Sequence, residues 1–588
     1  MIYRESVPRI FQQLKPLGLR YRSTAHFDSL KAIDPASLST RPRAPIKSKW
    51  PKRALYITGL VGLGLLGYSY DRYYKGRAFA RASRAVYVLL RVAADYKLNY
   101  GPHRDIARLH ERNADLIYDL LIGNKGLYIK IGQSIAMQAS LLPKPYQEKF
   151  GQLFDGAPAD SYALVEELFK KEFKGRSPED LFAQFDHHPV ASASIAQVHK
   201  AQLKDSGQWV AVKVQHPDIA AQMELDLSVY KALMYVYENY LFHMPMYFIA
   251  DYVAGRLRLE TDFRNEIANG ERLRACLKQN STLSDRVHIP LNFPELSTSR
   301  VMVSEWIEGV SLSNTAELQN PKHGINLTQS LQTIIELFSN QIFQWGVVHC
   351  DPHPGNMIIR PHPTRRGKHQ VVLIDHGLYV YENDIFRRQY SELWESMFNL
   401  DIKGVERVVS KWGFGEPEMF ASMTLLKPYK TTSKNQHPAP KAHMKEESEF
   451  EKAQTLKERL KKFLQDTTVI PLELLFLART IRILQGLNQR FGSRVNRVKI
   501  MAKTAAKSLL VTDQASYMTQ TKLIWRYLRF RCVVLLSDVG FYTVRLYQKW
   551  LGSSNDAGAG MEDILGRHIM EISAEYGLDV DSSKLFEG

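Results

Sequence analysis

Residues 347–359 read VVHCDPHPGNMII, and residues 371–378 read VVLIDHGL. Each is a short apolar run that ends in a tight cluster of Asp, His, Asn or Gly. β-Branched runs bounded by Pro and Gly read as short buried strands, so both clusters stand where a strand gives way to a loop. Asp351 and Asn356 are five residues apart, and Asp375 directly follows the second strand. Phosphoryl transfer needs such a set: one carboxylate beside the attacking hydroxyl, and an Asn with a second Asp to hold magnesium against the phosphates.

Two blander readings stand beside it. Cys350, His353 and His362 would offer a metal site, although a fourth ligand at the usual spacing is missing. The polar residues would otherwise just close strand ends. A nucleotide cleft demands more parts upstream, and they occur in order. Val210-Ala211-Val212-Lys213 places a lysine on a strand, where it would reach the α- and β-phosphates. Ala191-Ser192-Ala193-Ser194 stands where a glycine-rich loop would cover the phosphates. Alanine does not take positive φ freely, so this loop should be stiffer than a glycine-rich one. The stretch VMVSEWIEG (301–309) puts a strand before Glu305 and Ile307, where a hinge would present backbone groups to adenine.

The pattern around these parts predicts an α+β fold. From about 80 to 188 apolar residues recur at helical spacing, as at Leu116, Leu120, Leu127, Ile131 and Ile135. Residues 189–310 carry β-rich runs (with the turn Asp205-Ser206-Gly207), a helical stretch at 218–275, and two further strands, VHIPLNF and VMVSEWIEGV. A helix over 329–345 precedes the opening motif within a second unit, 311–426, and RPHPTRRGKHQ reads as a hairpin loop. Residues 427–449 are polar and unperiodic, a flexible insertion, and 450–588 return to helix. A small sheet unit followed by a helical one predicts two lobes with a cleft between them.

The 588 residues, 45% hydrophobic and 24% charged, suit an ordinary globular protein with more than one folded unit. Three distant cysteines frame no disulfide scaffold. The formal charge of +17 is uneven: residues 1–53 hold 12 Lys/Arg and 3 Asp/Glu. A nucleic-acid partner would call for a basic patch on a folded domain, and the excess sits in a tail instead. That tail, Arg-rich and acid-poor, resembles a mitochondrial presequence. Residues 54–70, ALYITGLVGLGLLGYSY, are uncharged, long enough for a short membrane span, and rich in glycine that suits close packing in lipid. The pair predicts an inner-membrane protein with the bulk of the chain in the intermembrane space.

Three further stretches select a family. Lys130-Ile131-Gly132-Gln133, the Ala-rich PVASASIAQVH and LETDFRNE (259–266) together resemble the UbiB family of atypical, aarF-domain-containing kinases, over about residues 115–380, with weaker likeness in LFLARTIRILQGLNQRFG near 476–492. The resemblance implies a protein-kinase-like two-lobed fold behind an N-terminal helical extension, with 218–245 as an inserted helix, and the span read at 54–70 would precede it. It implies that Lys130 and Gln133 face Glu260 and Asp262 across the groove where a protein substrate would lie. It also implies that Glu266, not the nearer Glu224 or Glu238, pairs with Lys213. ATP or ADP with Mg2+ would be the cofactors, Asn356 and Asp375 the metal ligands, and Asp351 the residue beside the nucleophile. Mitochondrial membrane lipids and a lipid-like or quinone small molecule would be the partners, in lipid or coenzyme Q homeostasis. A nucleotide-binding scaffold without turnover and a kinase of diffusible small molecules are the alternatives. Two positions depart from ordinary protein kinases: DHG replaces DFG, and His353 stands where many carry a lysine. The stretch WRYLRFRCVVLLSDVGFYTVRLYQKWLG (525–552) reads as a core helix, or as a surface helix touching lipid.

Overall fold

The computed structural model describes residues 69–71, 77–101, 104–136, 143–154, 159–242, 247–399, 401–412, 471, 473–510 and several positions between 521 and 543. The basic tail, nearly all of the expected membrane span at 54–70 and the insertion at 427–449 lie outside these residues. Among the described residues no helix is long and apolar enough to cross a membrane.

The chain first builds a helical layer: α1 (Ala78–Asn99), α2 (Ile106–Asn124), α3 (Leu127–Ala136) and α4 (Lys144–Gly151). Asp95 of α1 takes two bonds of 2.6 Å from Arg112 and one of 2.8 Å from Asn113, both on α2. Ala85, Ala114, Leu120, Leu121, Tyr146 and Phe150 close the apolar core between these helices. Gly132 has a steric role there. A Cβ at that position would stand 2.6 Å from side-chain carbons of both Leu121 and Leu153, so only glycine lets α3 lie this close.

Helix α5 (Tyr162–Glu172) leads into strands β1 (Phe182–Phe185), β2 (Ala191–Ser192), β3 (Ala196–Leu203) and β4 (Trp209–Gln215). Alternation decides their faces. Val210, Val212 and Val214 of β4 pack under α5 with Val165, Leu168 and Phe169, which turns Lys213 to the opposite face. Helices α6 (Ile219–Val236) and α7 (Tyr247–Glu260) then leave the sheet and join the helical layer. Leu127 and Ile131 of α3 share a core with Leu227 of α6 and with Ala254 and Leu257 of α7. Arg81 of α1 is buried against Gln222 and Asp226 of α6. Residues 218–242 thus belong structurally to the extension, within the stretch where the resemblance places an inserted helix.

After α8 (Phe263–Lys278) come β5 (Val287–His288), β6 (Val301–Glu305) and β7 (Val310–Ser311). The upper sheet runs β1-β3-β4-β6, with β2 on β3. Here the sequence reading needs correction: VHIPLNF is not one continuous strand, since Asn292 bridges Ser304 of β6 in the upper sheet while the start of the run joins the lower one. Only Val287 and His288 are extended as a strand, and they pair in parallel with the lower lobe. Pro290 and Pro294 remove ladder donors and stop the strand.

The lower lobe contains α9 (Leu327–Asn340), β8 (Val347–His349), β9 (Met357–Pro361), β10 (His369–Leu373), β11 (Tyr379–Tyr381), α10 (Asp384–Phe398), α11 (Ile402–Lys411), α12 (Glu473–Arg490) and α13 (Arg497–Ser508). Its strands form a sheet of order β5-β10-β9-β7 and a pair β11-β8. One large core joins α9, α10 and α12 beneath them through Ile334, Phe338, Trp394, Leu477 and Ile481. Residues 523–532 form a further helix, with Phe530 and Val534 packed on Ala502 and Ala506, while Ile524, Trp525 and Leu528 remain exposed.

The buried Arg81–Asp226 pair is the main polar tie between α1 and α6. Arg81→Met leaves a buried carboxylate without its counter-charge and should lower stability by about 3 kcal/mol. Adding Asp226→Leu should recover most of that loss. Denaturant unfolding of the two variants beside wild type checks both.

Candidate functional site

Lys213 leaves the upper sheet toward α8 and meets Glu266 there. Its Nζ donates to Glu266 Oε1 at 2.9 Å and Oε2 at 2.8 Å, and to Asp375 Oδ2 at 3.2 Å. Phe263 lies under the ammonium, 5.3 Å from ring centre to Nζ. Glu224 and Glu238 are engaged elsewhere, by Arg258 and by the backbone of Tyr247. Burial works against the charge on Lys213, yet Asp375 and Glu266 hold its ammonium above the ordinary lysine range. Burial likewise opposes ionisation of Asp375, and Lys213 with the Gly377 N–H more than reverses it. Asp375 Oδ1 accepts from Gly377 N at 2.9 Å.

One imidazole joins the two loops. His349 accepts from the backbone N–H of Asp351 through Nδ1 (3.0 Å) and donates from Nε2 to the Asp375 carbonyl (2.8 Å). These roles make it the neutral Nε2–H tautomer, and burial pushes its pKa down accordingly. Asn356 donates from Nδ2 to the Asp351 carbonyl at 3.1 Å, and its own carbonyl accepts from Ile374 N at 3.0 Å. The β9–β10 register, with Met357 opposite Leu373, therefore sets Asn356 and Asp375 at one end of the hairpin. An amide oxygen and a carboxylate form the small, hard donor set suited to Mg2+, which keeps several of its waters. Cys350, His353 and His362 form no such group: Cys350 bonds the Val348 carbonyl, His353 accepts from Gly355 N, and His362 faces Asp285. Among the described residues no cluster of three His, Cys, Asp or Glu is placed to hold a metal.

In DHG, the histidine ring replaces an apolar one but remains inside. His376 accepts from Tyr379 OH (2.8 Å) and donates to the Leu373 carbonyl (3.1 Å). Burial and the neighbouring His349 bring its pKa down to about 3.

The Ala-rich segment is a hairpin. Ala191 and Ser192 pair with Val198 and Gln197, and the turn closes from Ala193 N to the Ala196 carbonyl at 2.8 Å. Ser194 lies in that turn. His216 fastens it, donating from Nε2 to the Ala193 carbonyl (2.9 Å) while Nδ1 meets Asp160 (2.8 Å). At the hinge, Glu305 is tied by its side chain to His288 (2.8 Å) and Arg360 (3.3 Å), and its N–H to the Leu291 carbonyl (2.8 Å). Its N–H is thus taken, as is that of Trp306 by the Trp209 carbonyl (3.2 Å), and Ile307 beyond them is buried.

From the extension, Lys130 reaches Glu260 at 2.5 Å. Burial lowers its pKa, but the field of Glu260, Asp351 and Asp375 outweighs this. Gln133 and Asp262 are not part of that contact. Gln133 donates to the Leu153 carbonyl at 2.8 Å, and Asp262 caps α8 and pairs with Arg264. The chain breaks helix at Thr261, so the carboxylates of Glu260 and Asp262 diverge on either side of the break.

Sequence reasoning missed Arg479. From α12 it donates to Asp351 Oδ1 at 3.0 Å, although 128 residues separate them. Burial raises the Asp351 pKa, and Arg479 followed by Lys130 brings it below the usual carboxylate value. His349, His216 and Asp160 were missed as well, since only folding places their rings and carboxylate against backbone groups of the motifs.

Residues 152–409 match the ABC1 atypical kinase-like domain. An ABC1 family protein of Schizosaccharomyces pombe is 41% identical over 472 residues, covering 80% of this chain and 86% of that one. The chain belongs to the ABC1 family of atypical kinases. A second ABC1 family protein, from Purpureocillium lilacinum, is 38% identical over 533 residues, with 85% and 88% of the two chains covered. An AarF domain-containing protein kinase 1 of Gallus gallus is 30% identical over 391 residues, with 66% and 73% covered. The fold is therefore the kinase-like α+β fold of this family. Lys130 and Arg479 both fall outside the matched ABC1 domain, on helices before and after it.

The neutral, buried His376 makes a pH prediction. Its folded pKa lies below that of an unfolded histidine, so the unfolded chain takes up a proton as pH falls from about 6.5 toward 3 and stability is lost over that window. His376→Gln should reduce the slope by up to about 1.4 kcal/mol per pH unit, as read by urea unfolding at several pH values from 7.5 to 5.

Proposed function

We propose that the protein is an ATP-dependent phosphotransferase or ATPase of the mitochondrial inner membrane, acting in membrane lipid or coenzyme Q homeostasis. One observation carries this reading: Lys213 is bonded to Glu266 and Asp375 together, with Asn356 beside Asp375 at the hairpin end. A lysine held between those carboxylates is poised to orient the α- and β-phosphates of ATP or ADP. Asn356 and Asp375 would hold Mg2+, which supplies charge neutralisation at the phosphates when bound. The fastened Ala-rich hairpin covers them, and Asp351 positions the nucleophile, water or a hydroxyl.

The substrate class follows from what occupies the groove. Lys130 lies close enough to Asp351 and Asp375 to act on both, and a peptide would have to displace it. Water or a small lipid-like or quinone molecule fits better than a protein chain. The basic tail and the apolar segment at 54–70 support an inner-membrane location, with the bulk of the chain in the intermembrane space and membrane lipids as partners. A second reading, a nucleotide-binding scaffold without turnover, draws support from Asp351 already being paired with Arg479.

Magnesium-dependent ATP hydrolysis by the full chain in anionic liposomes separates the two. Turnover is expected, and Asp351→Asn or Asp375→Asn should lower it at least about 100-fold. Equal silence in wild type and both variants, with ATP still bound, would favour the scaffold. For the location, protease added to mitochondria with opened outer membranes should digest residues 80–588; protection of that part would reverse the orientation.

A further inference from the structure

In the usual kinase loop a lysine two residues after the catalytic Asp supplies positive charge beside the transferred phosphoryl group. This loop has His353 there, an imidazole whose Nδ1 accepts from the Gly355 N–H at 3.3 Å, and not a permanent cation. A guanidinium arrives from another element instead. Arg479 Nη2 stands 3.0 Å from Asp351 Oδ1, and the Arg479 side chain is only 13% exposed.

Helix α12 is a rigid base for it. Phe476, Leu477 and Ile481 are buried in the lower core, and Thr480 bonds the Phe476 carbonyl at 2.9 Å. Phe476 also packs edge-on against Tyr252 of α7, the helix that ends at Glu260. The pairing is not that of a saturated structural arginine: Nε is buried and has no partner among the described residues. A donor of the fork therefore remains for one more acceptor beside Asp351.

We propose that Arg479 is a positioning residue for phosphoryl transfer, holding Asp351 as an oriented carboxylate and replacing the cation the catalytic loop lacks. The proposal rests on the phosphotransfer reading above. With Oδ1 engaged by Arg479, Oδ2 receives the nucleophile's proton. The nucleophile's oxygen bonds to the γ-phosphorus as the bond from that phosphorus to the β-bridging oxygen breaks, and ADP leaves with the electron pair. Arginine suits the task because its charge is permanent over the working pH range and its planar fork fixes direction.

The test is ATP turnover by the full chain in anionic liposomes, for wild type, Arg479→Gln, Arg479→Lys and Arg479→Ala. Arg479→Gln should lower kcat by about 10- to 100-fold with the KM for ATP little changed. Arg479→Lys should recover part of kcat, and added guanidinium should restore turnover to Arg479→Ala. ATP-dependent thermal shift shows whether each variant is folded. An active wild type with Arg479→Gln equally fast, or with a slower kcat but no recovery in Arg479→Lys and no guanidinium rescue, overturns this role alone. A silent wild type overturns the role and the phosphotransfer reading together.

Discussion

Lys213 places one ammonium within 3.2 Å of three carboxylate oxygens, two from Glu266 and one from Asp375. Such a contact is costly to build, because each charge leaves water and is compensated only if all three groups arrive together. They come from β4, from the first turn of α8 and from the loop between β10 and β11. The alternation of β4, the Asp262 cap that starts α8, and the register of β10 on β9 each position one member. An error in any of the three leaves a buried charge unpaired, so this triad holds the two lobes to one mutual arrangement.

Around the triad the polar groups are arranged to leave the two catalytic-type carboxylates ionised. Asp351 has Arg479 and Lys130 near it, while Asp375 has Lys213 and the Gly377 N–H. The buried histidines do the reverse. His349 and His376 are neutral, each with one nitrogen donating to a carbonyl and the other accepting. They connect backbone segments without adding charge, which suits a site where anionic phosphates are to be neutralised by a few fixed cations. DHG is therefore a satisfied polar core, and the histidine does not leave a hole where phenylalanine would pack.

The helical extension is joined to this centre by both apolar and ionic contacts. Gly132 lets α3 approach α2, Leu127 and Ile131 fasten it to α6 and α7, and Lys130 then extends to Glu260 at the end of α7. Glu260 in turn packs against Gly377, where an added Cβ would stand 3.3 Å from Glu260 Cγ. The extension and the metal-type loop are thus in direct steric contact, and the matched ABC1 domain is flanked by helices that each send a cation into its site.

The motifs were legible in the sequence because their chemistry is local. Asp351 and Asn356 share one loop, Asp375 follows one strand, and Lys213 stands on a strand whose alternating valines declare which face is buried. The Lys213–Glu266 pair was reached only through the family resemblance, since spacing alone pointed to Glu224 or Glu238. Strand membership misled at VHIPLNF, where apolar residues look alike whether they pair above or below and two prolines shorten the run. Of the residues the resemblance sets facing one another, Gln133 bonds the Leu153 carbonyl and Asp262 caps α8, so only Lys130 and Glu260 form an ion pair. What the sequence by itself determined was the set of reacting groups and the alternation that aims them, since both depend on residues close along the chain. Only the tertiary structure decided that Arg479, 128 residues away, completes Asp351. No periodicity marks a buried arginine for its partner, because an ion pair depends on distance in space and on the water excluded around it.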